Sequence, residues 1–235
     1  MSITGIISIL IGVTIFSEPL GAIGFDEIQK RKGIYYELAR KVPFTGTAAD
    51  FYSNGQKKFE INFKRGELHG KLIFWYQNGK KSSEDTYKDG EVHGASKKWW
   101  ESGQRKMVGN TVDGWMHGVH YLWYENGQKE SEMNYINGNM HGVQSMWHYN
   151  GQKKLRTNYK NGEVHGVQTL WYKNGNKKSE GNYKNGKEYG VLNWWWENGK
   201  RKLEAHYKNG KIDGVRTLWF NNGEKQQSEI YRNGV

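Results

Sequence analysis

Cysteine is absent from the 235 residues, which excludes disulfides, thiol catalysis, thiolate metal sites and any lipid anchor built on a cysteine. Proline is almost absent. Pro19 and Pro43 are the two present, so the repeats beyond residue 43 lack the residue that would interrupt a hydrogen-bonded sheet ladder. Acidic residues are in deficit, 24 against 35 Lys and Arg, which leaves a formal charge of +11. A surface of that sign attracts anionic lipid, nucleic acid, acidic glycan or acidic protein. It also serves simply to keep an open sheet soluble and its edges unpaired. Long apolar runs are missing too, with one exception at residues 3–16. At 14 residues that run is shorter than the ~20 a membrane helix needs, and it suits the core of a secretory signal. Gly21 and Ala22, just before Ile23, offer a cleavage point. Residues 1–22 therefore read as a signal peptide and the chain as exported, to the periplasm or cell envelope. No Lys or Arg precedes the run, so a buried strand or an uncleaved interfacial anchor, and a cytoplasmic location, are the competing readings.

What is present is a period. Gly46, Gly70, Gly94, Gly118, Gly142, Gly166, Gly190 and Gly214 recur every 24 residues without insertion or deletion. Five residues after each stands Trp75, Trp99, Trp123, Trp147, Trp171, Trp195 or Trp219, with Phe51 in the first unit. Such regularity marks a repeat array whose units touch mainly their neighbours, and arrays of this kind bind along extended surfaces. Aromatics make up 14% of the chain although hydrophobic residues reach just 35%, which fits a thin structure packed by a few large side chains.

In the fourth unit, Val119, Tyr121, Leu122, Trp123 and Tyr124 form a β-prone run ending at Asn126-Gly127. A second run through Lys129, Glu132 and Tyr135 ends at Asn137-Gly138. Asn-Gly between short strand-like runs signals a two-residue type I′ hairpin turn, which needs positive φ at both central residues. Two turns per unit imply about sixteen antiparallel strands in one meander, and the chain reads as all-β. On that register Leu122, Tyr124, Tyr135 and Met140 share one face, and Val119, Trp123, Glu132 and His141 the other. Residues 23–45 read as a divergent capping hairpin, with Ile34, Tyr35 and Tyr36 in a strand, and residues 46–235 as eight repeats.

The recurring Tyr-Lys-Asn-Gly-x-x-His-Gly, as at Tyr159 to Gly162 and His165-Gly166, resembles the MORN repeat. The 24-residue spacing with Trp-Tyr-x-Asn-Gly resembles its bacterial variant, whose members are often labelled antitoxin-like. The resemblance implies an elongated single-layer array of β-hairpins that associates with proteins or membranes, without a catalytic residue. The chain departs from its own pattern at Lys97, Lys98 and Thr111, and again where Tyr189 and Asp213 replace histidine.

The histidines His69, His93, His117, His141 and His165 are unsuited to a shared metal, because equivalent residues in successive hairpins lie about 10 Å apart. They read instead as packing beside the turn glycine and hydrogen-bonding locally. Glu60, Glu84, Glu132, Glu180 and Glu204 share one repeat position, and a pair copied along a ladder lacks the singular environment that catalysis needs. No cofactor, metal or enzyme activity is therefore expected. One tryptophan per unit is what a thin core needs. The local excesses, Trp99 and Trp100 beside Lys97 and Lys98, and Trp194, Trp195 and Trp196, are the candidate partner-binding residues. Tyr231 joins them, because the last strand has an unpaired edge open to strand addition unless its charges guard it. The expected function is a non-enzymatic scaffold that binds a protein partner at the envelope, with antitoxin-like neutralisation as a narrower form. The alternative is attachment to anionic lipid or glycan through Lys and Trp rows, and the export signal argues against nucleic acid.

Overall fold

The computed structural model describes residues 21–235. The apolar run read as a signal sequence lies outside them. The described chain is all-β apart from one turn of 3-10 helix at Phe25–Glu27. One open sheet of 20 strand segments holds every repeat, and successive strands of the repeats pair antiparallel. Sixteen of these correspond to the strands expected from the turns. Three more arise because strands break at His117, His141 and His165, and the last is Ile23–Gly24, which pairs parallel with Ala48 and Ala49 at the sheet's first edge.

The two Asn-Gly turns of a unit differ. At Asn137-Gly138 both residues have positive φ, 48° and 77°, as a type I′ turn requires. At the first turn Gly127 alone is left-handed, with φ 82°. There Gly127 N–H donates to Tyr124 C=O and Tyr124 N–H to Gln128 C=O, so a type I turn is closed by a glycine bulge. The type I′ expectation is corrected at this position, and the reason lies in Asn126. Its Oδ1 accepts from Gln128 N–H at 3.0 Å, and its Nδ2 donates to Tyr149 C=O of the following turn at 2.9 Å. The asparagine is thus engaged in stacking turn upon turn. The register shift falls between Leu122 and Trp123, at the strand end, and leaves the expected faces intact: Tyr121 opposes Glu132, and Leu122 opposes Ser131.

One face, the tryptophan face, carries the Trp, Lys and Glu rows. The other, the tyrosine face, carries Tyr87, Tyr135, Tyr159, Tyr183, Tyr207 and Tyr231, with Phe63 heading the row. Burial pushes the hydroxyls of Tyr87, Tyr135, Tyr183 and Tyr207 above the ordinary tyrosine value.

Among the described residues a cluster of buried apolar side chains forms at one place. The hairpin of Ile28–Arg31 and Ile34–Glu37 forms a separate two-stranded sheet and folds over the tyrosine face of the first unit. Ile28, Phe44, Ala48 and Phe63 are buried there, with Phe25, Tyr35 and Leu68 packed around them. Tyr35 N–H donates to Gly66 C=O and Gly66 N–H to Phe44 C=O, so the Arg65-Gly66 turn is clamped by the cap. A Cβ on Gly66 would lie 2.6 Å from Tyr35 carbonyl oxygen, which leaves glycine as the residue that fits.

Candidate interaction surface

Three ladders join successive units. In the first seven units the residue after Phe51 or the repeat tryptophan meets the backbone carbonyl of the next unit's tryptophan. Tyr52, Tyr76, Tyr124 and Tyr172 do so through hydroxyls at 2.8–2.9 Å. Trp100 and Trp196 do so through indole N–H at 3.1 Å, and His148 Nε2 lies 3.1 Å from Trp171 C=O. The shared property of this column is a side-chain donor at the right reach. Turn asparagines form the second ladder, as at Asn126, and repeat it at Asn54, Asn78, Asn150, Asn174 and Asn198.

The third ladder lies on the tryptophan face. Lys57, Lys81, Lys129, Lys177 and Arg201 each bind the glutamate three residues on, Glu60, Glu84, Glu132, Glu180 and Glu204, at 2.5–2.9 Å. Four of these cations also lie over the next unit's indole: Lys57 over Trp75 and Lys129 over Trp147 at 5.2 Å, Lys177 over Trp195 at 5.9 Å, and Arg201 over Trp219 at 5.8 Å. The hydrogen bond from Lys81, joined by Lys71 at 3.0 Å, holds the Glu84 carboxyl below its ordinary value. An exposed pair contributes roughly 0–1 kcal/mol, so these pairs order the face more than they stabilise the fold.

The structure separates residues that the sequence places side by side. Successive strand residues point to opposite faces, so Trp195 joins the tryptophan face while Trp194 packs on the tyrosine face, 6.4 Å from the Tyr207 ring. Lys97 and Lys98 are split in the same way. Lys97, Trp99, Arg105 and Val108 line one open notch of about 230 Å³. Trp100 and Trp196 belong to the carbonyl ladder, with Lys106 and Lys202 over their rings at 4.2 and 4.3 Å. Tyr231 lies in the tyrosine row, its hydroxyl accepting from Arg216 at 3.0 Å and donating to Glu229 at 2.7 Å. That bond, with one from Gln227, lowers the Glu229 carboxyl.

The histidines differ among themselves. His69 and His93 meet Asp89 and Asp113 on the next turn, at 3.3 and 3.1 Å. The turn residue one unit on from His117 and His165 is Asn137 and Asn185, and their Nδ1 atoms are buried without a partner. Local hydrogen bonding, expected of the whole row, holds for the two that face an aspartate. Among the described residues no group of three or more His, Cys, Asp or Glu is placed to hold a metal.

Two exposed apolar features escaped the sequence reading. Val119, Val143, Val167, Val191 and Val215, each following a repeat glycine, are 37–46% exposed on the tryptophan face. At the type I′ turns, five units pair two charged residues, Lys with Glu at Lys64–Glu67, Lys88–Glu91 and Lys160–Glu163 and Lys with Lys in the sixth and seventh. The third unit pairs Val112 with Trp115 instead, and the fourth pairs Ile136 with Asn139. Trp115 is 65% exposed and Ile136 44%. The signal was available as two columns in which the usual charges are lost together.

The family model of the MORN repeat variant matches residues 44–65, 68–89, 116–137, 140–161, 164–185 and 188–209, more than half of the chain. The window skipped between the second and third matches contains Lys97, Lys98, Ser102 and Thr111, where the period is weakest. No curated protein matches the chain.

Proposed function

The chain belongs to the MORN repeat variant family, and from that premise we propose that it is a non-enzymatic scaffold whose tryptophan face docks a protein partner. Repeats of this family are protein- or membrane-binding modules in general. The observation that carries the protein reading is the row of five exposed valines beside ordered indoles, on a face that no second layer covers among the described residues. Exposed apolar rows rimmed by polar residues are what protein interfaces use. Export to the bacterial envelope and neutralisation of a toxic partner are the narrower form of this proposal. The test is affinity purification from native envelope of the full chain against a Val143→Lys, Val167→Lys, Val191→Lys variant. One stoichiometric protein retained by the first and lost from the second, at unchanged circular dichroism, is the expected result.

A second reading has its own observation. In the sixth and seventh units the turn pair is Lys184 opposite Lys187 and Lys208 opposite Lys211. Like charges directly opposed are unfavourable, and an anionic lipid or glycan surface would relieve them. Flotation with phosphatidylserine vesicles that falls steeply with salt, with no protein captured from the envelope, would put this reading first.

A further inference from the structure

The lysine–glutamate ladder of the tryptophan face has one place where the anion is replaced by a cation. In the fifth unit the glutamate position holds Arg156, three residues after Lys153. Lys153 opposes Trp147 and lies 6.0 Å over Trp171. Arg156 opposes Ser145 on one neighbouring strand and Thr169 on the other. Among the described residues neither cation is paired, whereas the Lys or Arg at the matching place in five other units holds a carboxylate. Both side chains are exposed. The backbone, the flanking indoles and the register are those of a unit that binds a carboxylate. The carboxylate itself is not supplied by the chain.

We propose that Lys153 and Arg156 form a receptor for a single Asp or Glu side chain on an extended segment of the partner. This rests on the reading that the partner is a protein. Arg156 offers the paired N–H geometry that a carboxylate accepts, and Lys153 adds a second charge-assisted donor. The surroundings select a discrete carboxylate over a continuous polyanion. Glu132 and Glu180 lie two strands away on either side, roughly 10 Å at the strand spacing of a sheet, and each already holds its own lysine, so the free positive charge is confined to the fifth unit and a longer run of negative charge would find no matching cations there. The third unit, which also lacks the glutamate, is not equivalent. Val108 fills the place there, and Lys97 lies directly opposite Glu84.

The test is an NMR titration of the full chain with an acetylated Ser-Val-Glu-Val-Ser peptide, following the Arg156 side-chain Nε–H, against the same peptide with Gln for Glu. Saturable shifts with the Glu peptide, at least about fivefold tighter than with Gln, are expected, and tightness should fall with added salt. In Arg156→Glu, which restores the residue of the sister units and so preserves the fold, the Glu and Gln peptides should become indistinguishable by backbone shifts. Equal affinity for both peptides in the unaltered chain overturns the proposal. So does phosphatidylserine vesicle binding that depends on Arg156 while the peptide does not bind. Retention of an envelope protein by the full chain and its loss from the valine variant, with no peptide preference, would remove the carboxylate receptor and leave the protein-docking reading standing.

Discussion

The first unit and the fifth follow one strand plan and bury different chemistry. At the first, a hairpin from outside the array lays Ile28 and Tyr35, together with Phe44 of the segment that follows, over Ala48 and Phe63, with Phe63 ring contacts of 4.8 Å to Tyr35 and 5.7 Å to Phe44. At the fifth, no element among the described residues covers the same face. The residues buried around it are Ser131, Gln144 and Thr157, each no more than 3% exposed. Gln144 is buried because it has a task. Its Nε2 donates to Asn134 C=O at 2.9 Å, and its Oε1 accepts from Asn134 N–H at 3.1 Å. His120 takes the same place one unit earlier, its Nε2 2.8 Å from Asn110 C=O. The strand is interrupted just before these residues, at His117 and His141, and it runs unbroken where Leu72, Ser96 or Leu192 takes their place. An end of the array is thus stabilised by apolar burial, and its middle by polar side chains that complete a broken ladder.

The strongest way to break this contrast is Phe63→Ala. Truncating a buried phenylalanine costs about 3–5 kcal/mol, and the loss should appear in urea unfolding and as early hydrogen exchange confined to the cap and first units. A cost near that of a surface substitution would mean that the cap does not stabilise the array. Next in size is Gln144→Leu, expected to cost about 1–3 kcal/mol by leaving the Asn134 N–H and C=O without their partner. A neutral result would sharpen the comparison differently. It would show that the strand closes over Leu as it does at Leu192, and that the break at His141 is a consequence of glutamine. Smallest is Tyr124→Phe, which removes one rung to Trp147 C=O and should lower stability by roughly 0.5–1.5 kcal/mol in thermal unfolding. Trp100→Phe removes the equivalent rung to Trp123 and should cost a similar amount, unless packing of its larger ring adds to the loss.

Much of this was legible before any coordinates. The period gave the strand count, and strict alternation gave the faces of Val119, Trp123, Glu132 and Tyr135, because a register with one residue's slip would invert every side chain. The turn dipeptide was misleading at Asn126-Gly127, since the same pair suits a type I′ turn or a type I turn with a glycine bulge. The choice is made by bonds to a turn 23 residues on. Grouping Trp194, Trp195 and Trp196 by adjacency overlooked the same alternation that worked elsewhere. Trp100, His148 and Trp196 look like departures from a tyrosine column until their common N–H donor is seen to meet a carbonyl.

The sequence by itself determined the hairpin repeat, because turns and strand propensity act over a few residues and each unit carries its own. Burial was decided by the tertiary structure alone. Both faces of a single-layer sheet carry aromatic, aliphatic and charged residues in similar measure, so composition cannot tell the packed column from the open one. That distinction arises when neighbouring strands bring Trp75 to Lys57, Gln144 to Asn134 and the cap hairpin to Phe63, and leave the valine row and Arg156 facing outward.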